Sequence, residues 1–112
     1  MKVAFEEIGH ISASFLADSG ENGQVCKMEQ NGKVAPCADG DAFIGVMEGI
    51  RKGYTAVQLH GFAEVAYTGT APELGYVSLA ADGNGGVKVS AAGRVHLVVS
   101  VDENTMKAII EL

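Results

Sequence analysis

The protein has 112 residues, of which 47% are hydrophobic and 6% aromatic, and its 8 basic against 14 acidic residues give a net charge of −6. This length predicts one domain, and the acidic balance argues against a nucleic-acid partner, which would need a positively charged surface. The sequence MKVAFEEIGH lacks the apolar core of a signal peptide. Because no apolar run reaches the ~20 residues of a membrane span, we expect a cytoplasmic protein without a membrane partner.

Residues 1–23 are the most weakly patterned part of the chain. Their main apolar residues are Val3, Phe5, Ile8, Ile11, Ala13 and Phe15. The first three lack a regular spacing, whereas the last three occupy alternate positions, which is typical of a β-strand. We therefore predict an extended N-terminal arm (1–23) that carries one strand, followed by a β-rich core domain (24–112).

Residues 24–37 are predicted to form a hairpin with Asn31-Gly32 at its tip. Asn-Gly favours a type I′ turn because both residues tolerate a positive φ. That register places Cys26 directly opposite Cys37, at a separation that a disulfide can bridge. Reduced thiols are the expected state in a cytoplasmic protein, and a disulfide is the alternative. The spacing of the two cysteines matches no zinc pattern.

The middle of the chain predicts two further strands. Residues 42–50 (AFIGVMEGI) are apolar almost throughout, which indicates a strand buried on both faces. Glu48 is expected to point outward, and a paired interior charge is the alternative. Residues 54–67 alternate from Val57 onward and predict one long strand. A bulge or bend at Gly61 would let this strand serve two curved halves of one sheet.

Short strands joined by turns are predicted from there to the C terminus, at residues 76–81, 87–90, 94–101 and 106–112. In the third of these, the residues expected on the apolar face are Val95, Leu97, Val99 and Val101. The residues expected on its polar face are Arg94, His96 and Ser100. Seven to nine strands with turns about every ten residues indicate an all-β fold. We predict a single-domain β-sandwich or partly open β-barrel with an extended N-terminal arm.

No residue pattern predicts a catalytic or metal site. The histidines of the chain are His10, His60 and His96, and solvated side chains are a better interpretation of them than a metal cluster. The turn at residues 82–86 begins like a calcium loop, but Val87 and Gly93 stand where that loop requires Gly and Glu. We therefore expect neither an enzyme nor a cofactor.

One alternative uses the polar face of the long strand. In this interpretation the protein is a small ligand-binding or enzyme-accessory β-barrel. Its pocket would be lined by Gln58, His60 and Glu64.

From residue 35 onward, four pieces follow one another in an order that is known from other proteins: APCADGDAFIGV, VQLHGFAEVAYTGTAPELGY, LAADGNGGVKV and GRVHLVVSVDENTMKAIIEL. Their shared motifs are Gly45-Val46 before the long strand, Gly75-Tyr76 after a loop, Asp82-Gly83 in a turn and the final hydrophobic strand 109–112. This order resembles a family of small β-rich proteins encoded beside capsid genes in tailed phages and prophages. Members of that family are usually regarded as capsid decoration or head-stabilising proteins.

The resemblance implies a non-enzymatic structural protein, without a cofactor, in a virion assembled in the host cytoplasm, with the major capsid protein as its partner. It also implies a homo-oligomer, with a trimer preferred, and part of the apolar run 42–50 is expected at a subunit contact. The arm is the expected docking segment, since an exposed strand can pair with a sheet edge of a neighbouring protein. Its docking residues would be Val3, Phe5, Ile8, Ile11 and Phe15.

Overall fold

The computed structural model describes residues 10–112, which form ten β-strands and no helix. The first five strands are β1 (Ile11–Ala17), β2 (Val25–Gln30), β3 (Lys33–Pro36), β4 (Gly45–Arg51) and β5 (Tyr54–His60). The other five are β6 (Phe62–Ala66), β7 (Gly75–Ala81), β8 (Val87–Val89), β9 (Arg94–Asp102) and β10 (Lys107–Glu111). The predicted all-β fold is therefore confirmed. Within residues 10–112 there is accordingly no apolar helix of the length that crosses a membrane.

Strands β1 to β5 close into a barrel in the order β1-β3-β2-β4-β5. β1 completes the circle because it pairs antiparallel with β5 and parallel with β3. The buried residues of the barrel interior are Ala17, Cys26, Val34, Met47 and Val57. The prediction of a barrel is thus confirmed for this half of the chain, and the barrel is closed rather than partly open.

β1 belongs to this barrel and is not part of a free arm. Six of its residues have Cα partners on β5, and Phe15 packs against the barrel core, whereas Ile11 at the start of the strand is 54% exposed. The predicted division after residue 23 is therefore wrong, because the hydrogen-bonding partners of β1 lie within the same chain. The other arm residues, Val3, Phe5 and Ile8, lie outside the described residues.

Strands β6 to β10 form a second, antiparallel sheet in the order β6-β10-β9-β7-β8. Its inner face packs on the outside of the barrel. The barrel half contributes Val25, Cys37, Phe43 and Val46 to this core, and the second sheet contributes Val65, Leu79, Val98, Ala108 and Ile110, among others. This shared core joins the two sheets into a single domain.

The predicted long strand is divided at Gly61 between the two sheets. Gly61 has a φ of +98°, which favours glycine, and the chain leaves β5 there to begin β6. The buried Gln58 holds this crossover, because its amide nitrogen donates to the carbonyl oxygens of His60 at 3.2 Å and Phe62 at 2.9 Å. The position of the break was predicted correctly, but it connects two sheets instead of bending one.

A bulge in β2 changes the predicted hairpin register. Only the glycine of the Asn31-Gly32 turn has a positive φ, +70°, so the turn is not type I′. An extra residue in β2, Glu29, shifts the pairing beyond it by one position. Cys26 therefore lies opposite Pro36 and not opposite Cys37, and the predicted cross-strand cysteine pair is wrong.

A second bulge exchanges the two faces of β9. Relative to β10, β9 has one additional residue, Val99. Before the bulge His96 and Val98 are buried, whereas after it Val101 packs against the core. The predicted faces are therefore wrong in the first half of the strand: Val95 is 59% exposed and His96 is only 4% exposed.

The apolar run 42–50 is accounted for within one chain. Gly45, Val46 and Met47 are buried, as predicted, and Glu48 points outward. β4 pairs with β2 on one side and with β5 on the other. The burial of this run therefore does not by itself indicate a subunit contact.

Candidate functional site

His96 is a buried polar residue at the junction of three segments. Its ring stacks on Phe43, with centroids 4.8 Å apart and an interplanar angle of 11°. Its Nδ1 lies 2.8 Å from the carbonyl oxygen of Glu111, so Nδ1 carries the proton and donates it, because a carbonyl can only accept. Nε2 is buried and has no hydrogen-bond partner within the described part of the chain. Sequence alternation missed this arrangement because it places His96 on the solvent face.

The surroundings of His96 favour the neutral ring. Burial lowers the pKa of His96 below its ordinary value, the hydrogen bond to Glu111 acts in the opposite direction, and the positive charge of Arg94 lowers the pKa further. A protonated ring would also have a buried N–H at Nε2 without an acceptor, which is unfavourable. His96 therefore joins β9, β10 and the segment before β4 as a neutral side chain.

We predict that acid destabilises the fold through His96. Because the folded-state pKa is below the unfolded value of about 6.5, the unfolded chain binds the proton more readily, and stability is lost as the pH falls below that value. In urea titrations at about pH 7 and about pH 5, the parent should lose stability with acid, and His96→Leu should lose less. His60→Leu is the control, because His60 is exposed, and it should keep the pH dependence of the parent. An equally steep dependence in His96→Leu would contradict the assignment.

The two cysteines, predicted as a disulfide or thiol pair, are both free and buried. Cys26 belongs to the barrel interior and Cys37 to the core between the two sheets. Burial raises the pKa of Cys26 to about 12 and that of Cys37 to about 11. Since the thiolate is the reactive form, both side chains serve as packing groups at neutral pH.

A groove of about 620 Å³ lies where the barrel meets the second sheet. Two of the three residues predicted to line a pocket, Gln58 and Glu64, contribute to its wall, whereas His60 does not. The amide nitrogen of Gln58 already makes two hydrogen bonds to backbone carbonyls. Its two N–H groups are therefore engaged in holding the crossover at Gly61.

His10, Ser12 and Glu48 meet near this groove in a cluster that contains the residue types of a catalytic triad. His10 Nε2 lies 3.0 Å from Ser12 Oγ and 3.2 Å from Glu48 Oε1, and Ser12 Oγ donates to the same Oε1 at 3.0 Å. In a triad the carboxylate contacts the imidazole nitrogen that faces away from the serine. Here both contacts are on Nε2 and the serine proton points to the carboxylate, so the arrangement differs from that of a triad, and it links β1 to β4.

The Asp82 turn is closed by the side chain of Asp82. One carboxylate oxygen accepts the backbone N–H groups of Asn84 at 2.7 Å and Gly86 at 3.1 Å, and the other accepts the Thr68 hydroxyl at 3.0 Å. This agrees with the interpretation of residues 82–86 as a turn. Across residues 10–112, no group of three or more His, Cys, Asp or Glu side chains is arranged to hold a metal ion.

An apolar strip covers the solvent side of the second sheet, and we call it the outer sheet face. It consists of Leu74, Tyr76, Val95, Leu97 and Val99. Tyr76 and Leu97 are cross-strand partners, and Leu74 lines a groove together with Val99. Leu74 is 69% exposed and Tyr76 is 76% exposed. The acidic residues beside this strip are Glu73, Asp102 and Glu103. Asp102 and Glu103 line the groove that contains Leu74 and Val99, and Glu73 lines a second groove that contains Tyr76.

A second exposed row crosses the barrel on successive cross-strand partners: Lys33, Leu16, Tyr54 and Arg51. Leu16 is 43% exposed and Tyr54 is 56% exposed. Lys33 is engaged in ion pairs, whereas Arg51 and the adjacent Lys52 have no ion-pair partner among residues 10–112. We call Leu16, Tyr54, Arg51 and Lys52 the barrel face.

Comparison of the sequence with protein-family models and with curated proteins found no match. The features of the described chain that bear on function are the two exposed faces, the groove where the barrel meets the second sheet, and the buried polar groups. Of these, the two faces are the features that packing within the described chain does not explain.

Proposed function

We propose that the protein is a non-enzymatic structural protein that binds, as a homo-oligomer, to a repeating protein surface, and that this surface is the capsid lattice of a tailed phage. The observation that carries the proposal is the exposure of large apolar side chains on both sheets of one small domain. Exposed apolar patches mark sites of protein contact, and tyrosine is among the residues that contribute most to such contacts. The kind of partner comes from the resemblance of the sequence motifs to capsid decoration proteins.

Three polar side chains of the interior make structural hydrogen bonds, which favours this proposal over a catalytic role. Gln58, Asp82 and the Nδ1 atom of His96 bind backbone groups. The ligand-binding alternative is less well supported, because His60 does not line the groove where the barrel meets the second sheet, and both N–H groups of the Gln58 amide already bind backbone carbonyls. A lattice binder also gains affinity by multivalency when several copies are joined.

The residues proposed for docking fall into two groups: Val3, Phe5 and Ile8 precede β1, whereas Ile11 and Phe15 belong to it. Ile11 and Phe15 lie in β1, whose backbone groups pair within the barrel. The edge of β1 that faces β5 is therefore occupied, whereas the opposite edge pairs with β3 only at Leu16 and Ala17 and has no strand partner at residues 11–15 among the described residues. Pairing of this segment with a capsid strand would therefore involve that open edge of β1 or residues before His10.

The test is co-sedimentation with empty heads assembled from the major capsid protein encoded beside this gene. We expect saturable binding, with a fixed number of copies per capsid subunit. A variant that lacks residues 1–8 distinguishes the two possible anchors: lost binding assigns the anchor to that segment, and retained binding assigns it to the described surface. Absence of binding at ~100 μM, a concentration at which even weak protein contacts are populated, would overturn the proposal, as would a gene neighbourhood without capsid genes.

A further inference from the structure

We infer that the outer sheet face of one copy packs against the barrel face of the next copy, so that the chain assembles head to tail into a closed ring. The inference rests on the proposed homo-oligomer and identifies the two surfaces that form its contact. The second copy is favoured as the occupant because each chain carries both halves of a complementary pair of faces.

The apolar residues of the two faces complement each other. The outer sheet face presents a strip of apolar side chains in which Tyr76 and Val95 are among the most exposed, at 76% and 59%. The barrel face presents Tyr54 and Leu16, which are direct cross-strand partners. Contact between the faces would remove these side chains from water, and the two tyrosines would lie at the centre, where such residues contribute most to binding.

The charges beside the two faces have opposite signs. The barrel face carries Arg51 and Lys52, both without an ion-pair partner among the described residues. The outer sheet face is flanked by Glu73, Asp102 and Glu103. Two copies of a chain with a net charge of −6 repel each other on average. A contact that sets Arg51 and Lys52 of one copy against the acidic residues beside the outer sheet face of the next copy offsets that repulsion and fixes the orientation.

The use of two different faces determines the kind of symmetry. A two-fold dimer would bury the same patch on both copies, whereas contact between unlike patches is heterologous and forms a ring when the rotation closes. The two faces lie on different sheets of the domain. Head-to-tail contact is therefore compatible with the trimer that the resemblance implies.

Charge reversal tests the contact without capsid heads, so that its failure is separate from failure of the proposed function. One variant combines Arg51→Glu with Lys52→Glu, a second combines Glu73→Lys with Glu103→Lys, and a third carries all four changes and keeps the parent net charge of −6. By sedimentation equilibrium, each double variant should assemble ~10-fold more weakly than the parent, because rim ion pairs are worth a few tenths to one kcal/mol each. The fourfold variant should recover most of the parent affinity.

A fourth variant, Tyr76→Ser, probes the apolar part of the contact and should also weaken assembly. Circular dichroism and thermal unfolding of each variant establish that the monomer remains folded. Weakening by only one of the two double variants would indicate a two-fold contact through a single face and overturn the inference. A parent that is monomeric at ~100 μM, or a fourfold variant no better than the doubles, would overturn it as well.

Discussion

Deletion of residues 1–18 should abolish cooperative folding. β1 lies between β3 and β5 and closes the barrel, so its loss leaves two strand edges without backbone partners and opens the barrel core. Val34, Met47 and Val57, each fully buried, would then be accessible to water. Burial of side chains of this size stabilises a protein by roughly 1.5–3 kcal/mol each, which together is comparable to the whole stability of a small domain.

The matched comparison is the chain that begins at His10, which retains β1 complete. Thermal unfolding followed by far-ultraviolet circular dichroism measures both truncated chains. The difference between them isolates the contribution of β1. A chain starting at Ser19 that still unfolds in a sharp transition at the parent temperature would show that the barrel does not depend on β1.

Gly45→Ala should be among the most destabilising single substitutions in the barrel. A Cβ atom at this position would overlap the carbonyl oxygen of Gln58 and a methyl group of Val57. The carbonyl belongs to the backbone of β5 and cannot rotate away, so β4 would have to separate from β5. Overpacking of this kind costs roughly 1–3 kcal/mol and occasionally more, and we expect about 3 kcal/mol here because the obstacle is backbone.

Gly69→Ala is the control for Gly45→Ala. A Cβ at Gly69 would have no heavy atom within 4 Å, but the residue has a φ of +75°. The same chemical change should therefore cost only the backbone strain, about 1 kcal/mol. Urea unfolding of both variants gives the comparison, and equal losses of stability would mean that the steric argument for Gly45 is wrong. The close approach of Gly45 to the carbonyl oxygen of Gln58 also gives a physical reason for the glycine of the Gly45-Val46 motif.

The strands themselves could be predicted from the sequence because alternation is a local property. The break at Gly61 and the outward direction of Glu48 could be predicted for the same reason. The faces and the register were harder to predict, since one inserted residue reverses every side chain that follows it. The bulges at Glu29 and Val99 have no distinctive composition, yet the first separates Cys26 from Cys37 and the second buries His96.

The place of β1 could not be predicted from its own residues. An alternating strand has the same pattern whether it pairs within its chain or with a neighbour, and β1 pairs with β5 across a long separation in sequence. The two exposed faces were missed for a related reason. The barrel row from Lys33 to Arg51 combines four strands and becomes visible only when their order and register are known.

The crossover at Gly61 also sets the order of events on the ribosome. Every strand of the barrel precedes Gly61 and every strand of the second sheet follows it, so the barrel can close while the rest is still being translated. β6 then has to wait for β10, its pairing partner at the far end of the chain. Until that strand emerges, the nascent barrel exposes Val25, Phe43 and Val46, and apolar surfaces exposed in this way are prone to aggregation. The interval of synthesis between β6 and β10 is therefore when the growing chain is most exposed to wrong partners.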